Sequence, residues 1–476
     1  MVNFYAVNLN AQRRFDKEDF FLKAYNAKDI RNIAIAGHGG RGKTTLAEAM
    51  LYTAKATDRL GRVADGTTVL DFDAEEKKRK ATVSTAVAAI EWNGAKINII
   101  DTPGLFDFAG GMSEGIRAAD SVLIVTAAGS GFDVGAEKAL KAANARGISR
   151  MFAITRCDAD NTDFYKTFAA IKDAVGGAIC PVIVPYMDGG KVAAYVNLAS
   201  RKAFDYSNGE KKEVAMPSDP QLDEMLDILT EAVASSDDEL MEKFFETMEL
   251  SAEDMAKGLK IGVRDGSVCP VLCGSAVTGM GVDMLMQTIV DLVPVATDMP
   301  AEAAEDDDGN AIEVAYDPNG PTAAFVFKTI SDQYGKFSMI KVIRGKVTSD
   351  MSLYNMTTGN TEKLGRLYTM KGKKAEETKE ICCGDIGAIG KMDKVKTGDT
   401  LCDPRKVVSL KQIPYPAPCY SMAIAPKVKG QEDKVGTGLN RLNEEDPSFT
   451  LTNNAETKQQ VISGTGDQQL DVLVSK

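Results

Sequence analysis

One histidine occurs in 476 residues, at position 38. General-base catalysis by imidazole is therefore excluded everywhere else in the chain. Long apolar runs are also missing: no stretch approaches the roughly 18 residues of a membrane span. The start, "MVNFYAVNLNAQRRFDKEDFF", has no apolar signal core and reads as an appended arm over residues 1–28. Eight cysteines are scattered, none spaced with histidine as a zinc site. Cys269-Pro-Val-Leu-Cys273 and Cys382-Cys383 sit in apolar, strand-like runs, so reduced, buried thiols and a cytoplasmic location are expected. Basic charge is in deficit, 56 Lys and Arg against 68 Asp and Glu, a net −12. No global positive field advertises nucleic acid, and any RNA contact must be local.

The chain is too long for one core, so two to four domains are expected. From about residue 29 to 297, apolar runs alternate with helical periods. Strands are predicted at Asn32–Ala36, Lys96–Ile100, Ser121–Val125, Met151–Ile154 and Pro270–Cys273, with a helix over Thr44–Ala56. That alternation argues for a mostly parallel, doubly wound sheet. An acidic, helix-rich insertion interrupts it over about 159–265. A linker or exposed loop is expected over 298–318, because "PAEAAEDDDGNAIEVAYDPNG" carries seven acidic residues and no basic one. Short strands with frequent turns over 319–406 predict a small β-barrel. From 407 to 476 the order is strand, helix, two strands and the start of a helix. A two-layer, ferredoxin-like α+β unit of that order wants one more strand, so this domain is expected to be incomplete, with one strand edge unpaired.

"Gly37-His-Gly-Gly-Arg-Gly42-Lys43-Thr44" matches G-x4-G-K-[ST] between a predicted strand and a predicted helix. Gly37, Gly39, Gly40 and Gly42 let backbone N–H groups, those of His38, Arg41 and Thr45 among them, turn toward phosphates at a helix start. Lys43 supplies a cation for the β- and γ-phosphates, and Thr44 a hydroxyl for Mg²⁺. Arg41 reads first as a surface arginine and second as a built-in arginine finger. Asp101, ending the next apolar strand in "DTPG", is placed to hold a Mg²⁺-bound water. Gly104 is placed to offer its N–H to the γ-phosphate. Asp158 follows another strand, where a carboxylate accepts two N–H bonds from a guanine edge. Ser275-Ala276 follows the next, where a backbone N–H meets the guanine oxygen.

These residues and their order resemble translation elongation factor G or one of its paralogues. The resemblance runs from about residue 29 to the end, through "RNIAIAGHGGRGKTTLAEAML", "INIIDTPGLFDFAGGMSEGIRAADSVLIV", "CGDIGAIGKMDKVKTGDTLC" and "LNRLNEEDPSFTLTNNAETKQQVISGTGDQQLD". It implies a P-loop GTPase domain with an inserted subdomain, a translation-factor β-barrel and a third domain. It implies GTP or GDP with Mg²⁺ as ligands and the ribosome as partner, for a soluble monomer. It also makes Thr82 the switch threonine, a metal and γ-phosphate group, and gives His38 a loop-shaping role.

The departures bear on function. Where the family has Asn-Lys-x-Asp, this chain has Thr155-Arg156-Cys157-Asp158, so weakened guanine affinity is expected, since a lost bond costs about 0.5–1.5 kcal/mol. After "DTPG" the family carries a histidine that orients the attacking water; here Leu105 can neither donate nor accept. Lys43, Thr82 and Gly104 remain as catalytic candidates, and GTP binding with slow or absent hydrolysis is expected. The family's fourth and fifth domains do not follow, so this polypeptide alone is not expected to move tRNA. A non-hydrolysing sensor or competitor at the ribosomal factor site, a ribosomal protection protein and a generic P-loop ATPase are the alternatives.

Overall fold

A computed structural model describes residues 25–476 apart from 333–334 and 429. Of the arm expected over 1–28, residues 1–24 lie outside the described part. The first domain begins with β1 (Ile30–Ala36), β2 (Ala86–Trp92), β3 (Ala95–Asp101), β4 (Ser121–Ala127), β5 (Ser149–Thr155) and β6 (Ile179–Pro181). A separate antiparallel sheet follows, from β7 (Ile183–Asp188), β8 (Lys191–Asn197), β9 (Lys202–Asp205) and β10 (Lys212–Val214). Then β11 (Cys269–Cys273) returns to the first sheet. The spatial order there is β2-β3-β1-β4-β5-β11-β6, with every pair parallel except β2–β3. All seven residues of β4 are buried, as a strand covered on both faces requires. The covering and inserted helices are α1 (Lys43–Thr53), α2 (Ala74–Arg79), α3 (Ala109–Ala118), α4 (Val134–Arg146), α5 (Phe164–Val175), α6 (Pro220–Ala234), α7 (Asp238–Thr247), α8 (Ala252–Asp265) and α9 (Val282–Leu292).

The five predicted strands are present, and the helix predicted to reach Ala56 ends at Thr53. Strand β2 went unpredicted, although Asn93-Gly94 supplies the two-residue hairpin signal, with φ of 45° and 85°. Within the range 159–265, α5 precedes β6, which extends the main sheet beside β11, while α8 packs on β5, β11 and α9. The four-stranded sheet adjoins that layer through β7 against β11, while α6 packs on β6 and α8 and carries α7 on its outer side. The acidic stretch is not an open loop: β12 (Glu302–Glu305) and β13 (Ala311–Val314) pair as a hairpin. Alternation turns Glu302 and Ala304 inward while Ala303 and Glu305 face solvent.

The barrel is organised on a long hairpin, Ala323–Asp332 with Gly335–Arg344. Its two-residue period divides its side chains between two cores. Ala324, Val326, Ile340 and Val342 fill the barrel with Leu353, Leu367, Ile389 and Leu401. Phe325, Phe327, Met339 and Ile343 join the first domain's core instead. Charged groups are buried along that junction. Lys341 pairs with Asp120, Lys96 with Asp385 at 2.8 Å, and Lys328 with Glu114 at 2.9 Å. Asn32 and Asn98 bridge between Asp120 and Asp385. Strand Leu367–Lys371 also meets β2 at one pair, Lys371 with Ala88.

The third domain has Tyr420–Ile424, α10 (Glu432–Glu445), Thr450–Asn453, Gln460–Gly464 and α11 (Asp467–Ser475). Its sheet places Gln460–Gly464 in the middle, and Tyr420–Ile424 forms one edge with Tyr420 and Met422 exposed.

Glu302 lies between Arg117 and Arg146, with the Tyr316 hydroxyl donating at 2.7 Å. Burial opposes its charge, yet the two guanidinium groups dominate and hold its carboxyl down from 4.5 to about 2. Glu302→Gln leaves the buried Arg117 and the half-buried Arg146 uncompensated and is expected to cost about 3 kcal/mol in denaturant unfolding at pH 7. Because the folded pKa is depressed, the native contribution is present above 4.5 and lost as pH falls toward 2. The gap between wild type and variant should therefore close across that window.

Candidate functional site

The phosphate loop joins β1 to α1, and its geometry follows from glycine. Gly37 has φ of 131°, and a Cβ there would stand 2.5 Å from the Val125 carbonyl oxygen. Gly40 and Gly42 also have positive φ, and Gly42 caps α1. Lys43 is almost wholly buried, its Nζ donating to the His38 carbonyl at 2.9 Å. Burial pushes its ammonium below the ordinary lysine range, against the pull of Asp101.

Thr44 Oγ1 lies 2.7 Å from Asp101 Oδ2 and 2.8 Å from Thr82 Oγ1. Thr82 in turn reaches Asp71 Oδ1 at 2.8 Å. Asp101 Oδ1 and Asp71 Oδ2 are buried without hydrogen-bond partners. Burial, then the neighbouring Asp71 charge, pushes Asp101 up to about 7. Burial raises Asp71 as well. Two carboxylates with spare lone pairs beside two hydroxyls form an all-oxygen donor set suited to a hard cation such as Mg²⁺. Asp71 was missed in the sequence; the only signal is a carboxylate eleven residues before the switch threonine, in "DFDAEEKKRKAT".

The cleft beside these groups has a volume of about 230 Å³ and is bounded by Gly40, Lys43, Thr45, Thr82, Gly104 and Arg156. Leu105 closes one side, its Cδ2 3.0 Å from where a Cβ on Gly39 would stand. Arg41 is drawn away, since its Nε pairs with Asp133 at 2.9 Å while Asp133 caps α4. The arginine-finger reading therefore has no support in the geometry. His38 packs edge-on against Phe106 with ring centroids 5.5 Å apart, and Gly135 of α4 lies so close that a Cβ there would meet His38 Cα at 2.3 Å.

Beyond the cleft, Asp158 Oδ2 accepts from Ser275 Oγ at 2.6 Å, and Ser275 Oγ accepts the Thr278 N–H at 3.2 Å. The loops after β5 and β11, Ala276 included, are thus joined. Thr155 Oγ1 has the Arg41 carbonyl at 2.9 Å and the Thr126 carbonyl at 3.1 Å. The hydroxyl cannot make all the bonds of an amide, yet it ties the base-side strand to the phosphate loop. Arg156 adds a second tie, Nη2 to the Gly40 carbonyl at 2.8 Å. Of the residues singled out in the sequence, Gly39, Gly40, Gly42, Lys43, Thr44, Thr45, Thr82, Gly104 and Arg156 line the cleft; Asp158 and Ser275 meet on the loops beyond it, and the Arg41 side chain turns to Asp133.

Residues 28–295 match the family description Elongation factor Tu GTP binding domain. Residues 321–404 match Elongation factor G domain 2, and residues 415–476 match Elongation Factor G, domain III. The chain belongs to the elongation factor G-type translational GTPases. A crystal structure of a protein from Thermus thermophilus is similar to it, at 31% identity and a TM-score of 0.82 over 94% of this chain. The match spans 65% of that protein's length. Among the described residues of this elongation factor G-type chain, no helix is long and apolar enough to cross a membrane.

Gly104 tests the packing of the cradle. A Cβ there would stand 2.1 Å from Lys43 Nζ and 2.8 Å from both the Gly37 carbonyl oxygen and the Gly39 nitrogen. Overpacking of this kind costs about 1–3 kcal/mol, so Gly104→Ala is expected to weaken GDP binding roughly 5–150-fold by calorimetry. The same clash should lower the thermal midpoint of the nucleotide-free protein, because two of the crowded atoms belong to the backbone of the phosphate loop.

Proposed function

We propose that this chain is a cytoplasmic, monomeric GTP-binding factor that acts at the ribosome, holds GTP with Mg²⁺, and hydrolyses it slowly or not at all. Lys43 and the loop N–H groups cradle the phosphates. Thr44, Thr82, Asp101 and Asp71 are the groups that would hold Mg²⁺, which supplies charge to the β- and γ-phosphate oxygens when bound. Asp158 and Ser275 read the guanine edge, with Ala276 offering its N–H.

The observation that carries the slow-hydrolysis reading is Leu105, apolar and packed toward Gly39 at the position where the family has its water-orienting histidine. A leucine holds no water and takes no proton. His38 is no replacement, because its ring is packed edge-on against Phe106. Glu76 is no replacement either, because its carboxylate accepts from the backbone of Asp73, Val83 and Ser84. Loss of a positioned acid–base group slows a proton-transfer step by about 10²–10⁴-fold.

Phosphate release measured with ribosomes, GTP and Mg²⁺ tests this. Wild-type turnover is expected to be slow, and Leu105→His is expected to raise it at least tenfold. Wild-type turnover as fast as that of the histidine variant refutes the reading. Parallel titrations should give heat for GTP and GDP and none for ATP; equal heats for ATP would remove the role given to Asp158. A second reading, a sensor or competitor at the factor site, draws support from the contacts that seat the third domain beside the cleft: the Gln468 N–H of α11 donates to Asp107 at 2.8 Å, Asp471 pairs with Arg79 at 2.5 Å, and Val472 packs with Val83, Leu105 and Phe108.

A further inference from the structure

A second cavity, of about 450 Å³, opens between α3, the end of α4, the start of the β12 hairpin and the segment 411–414. It shares no residue with the phosphate cleft. Its volume lies within the ~300–1,000 Å³ of pockets that take small organic molecules. Ile116 and Ile148 are buried in its wall, while Ala142, Met299 and Pro414 add more exposed apolar surface. Two bonds tie the segment to α3. Ser113 Oγ donates to the Pro414 carbonyl at 3.0 Å, and Arg117 Nε to the Lys411 carbonyl at 3.1 Å.

Charge inside the cavity does not balance. Among the described residues that line it, Arg117, Arg146 and Lys411 are cationic and Glu302 is the one carboxylate. Glu302 is already engaged, since its Oε1 accepts from both the Tyr316 hydroxyl and Arg146 Nη2. Its Oε2 lies 3.4 Å from Arg117 Nη1, close enough for attraction between the charges but without a hydrogen bond. The Arg117 side chain is 3% exposed, yet both Nη1 and Nη2 are buried with no acceptor among the described residues. Arg146 Nε also finds none. The Phe325 ring, 4.2 Å from Arg117 Cζ, attracts the positive charge but offers the Nη groups no lone pair. Buried donors are ordinarily satisfied, and charged ones are the costliest to leave unmet.

We propose that this cavity is a binding site for a small organic acid, a single carboxylate carried on an apolar body. Two oxygens in one plane match the paired Nη groups of a guanidinium. One negative charge also brings Arg117, Arg146 and Glu302 to neutrality, which a buried cluster favours. Ile116, Ala142 and Met299 take the apolar body. A neutral hydrocarbon would leave the Nη donors unmet, and an inorganic anion would leave the apolar wall facing water. An amine would bring a further positive charge against two guanidinium groups.

The test is calorimetry on the full chain with 2-naphthoate, its neutral counterpart 2-naphthamide, and acetate. The wild type is expected to bind 2-naphthoate at a single saturable site. The amide should bind at least about tenfold more weakly, because hydrogen bonds to a charged partner are the stronger kind. Acetate should not saturate. Arg117→Lys keeps the charge but loses the planar fork, and is expected to weaken 2-naphthoate by a similar factor while leaving the amide unchanged. Ala142→Phe fills the cavity without touching a charge and is expected to abolish both. Equal affinity for acid and amide in the wild type, or undiminished binding in Ala142→Phe, overturns the proposal. Acetate binding as tightly as 2-naphthoate marks an adventitious ion only and overturns it as well, as does the absence of saturable heat from 2-naphthoate. Should Arg117→Lys fail to fold, the acid-to-amide ratio of the wild type and Ala142→Phe decide.

Discussion

The chain of short contacts from Asp101 through Thr44 and Thr82 to Asp71 is the constraint on which the site depends. It joins the end of β3, the start of α1 and the loop that leads into β2, adding polar ties to the β2–β3 pairing and the packing of α1 on β3. Carboxylates this deeply buried favour their protonated forms unless positive charge is near. Lys43 supplies one such charge, and the two unpartnered oxygens leave room for a divalent cation to supply the rest. The loop that ends at Thr82 is held in place by electrostatics that a metal nucleotide would complete.

Helix α3 carries that arrangement outward. It begins one residue after Phe108 and bears Glu114 and Arg117 three residues apart, hence on one face. Glu114 meets Lys328 of the barrel and the Tyr415 hydroxyl; Arg117 meets Glu302 and stacks over Phe325. Buried pairs of this kind add little net stability, but separating them exposes uncompensated charge in an apolar setting. The junction between first domain and barrel therefore resists partial sliding. Movement of the loop before α3 must be accommodated by rotation of whole units or by the lighter contacts at α11.

Those lighter contacts give Leu105 its second meaning. In the cleft it is an absence, a side chain without donor or acceptor where water would have to be held. On its other side it is a contact, one quarter of an apolar cluster that spans two loops and a neighbouring domain. Both properties come from the same four carbon atoms of one side chain.

Much of this was legible in the residues themselves. The glycine pattern and Lys43-Thr44 specify a phosphate loop because few backbones can turn so many N–H groups inward. The continuous apolar runs specify buried parallel strands, and the domain order follows from the change in their period. The sequence alone determined that the usual histidine is missing. Tertiary structure decided the rest. Asp71 joined the site, Thr155 kept a tie to the phosphate loop through one hydroxyl, and Arg41 was turned aside by Asp133. The acidic stretch became a hairpin whose Glu302 is buried between two arginines. Val472 reached Leu105 across 367 positions of chain. Local patterns encode which face of an element is apolar; they do not encode which distant charge or methyl group will lie against it.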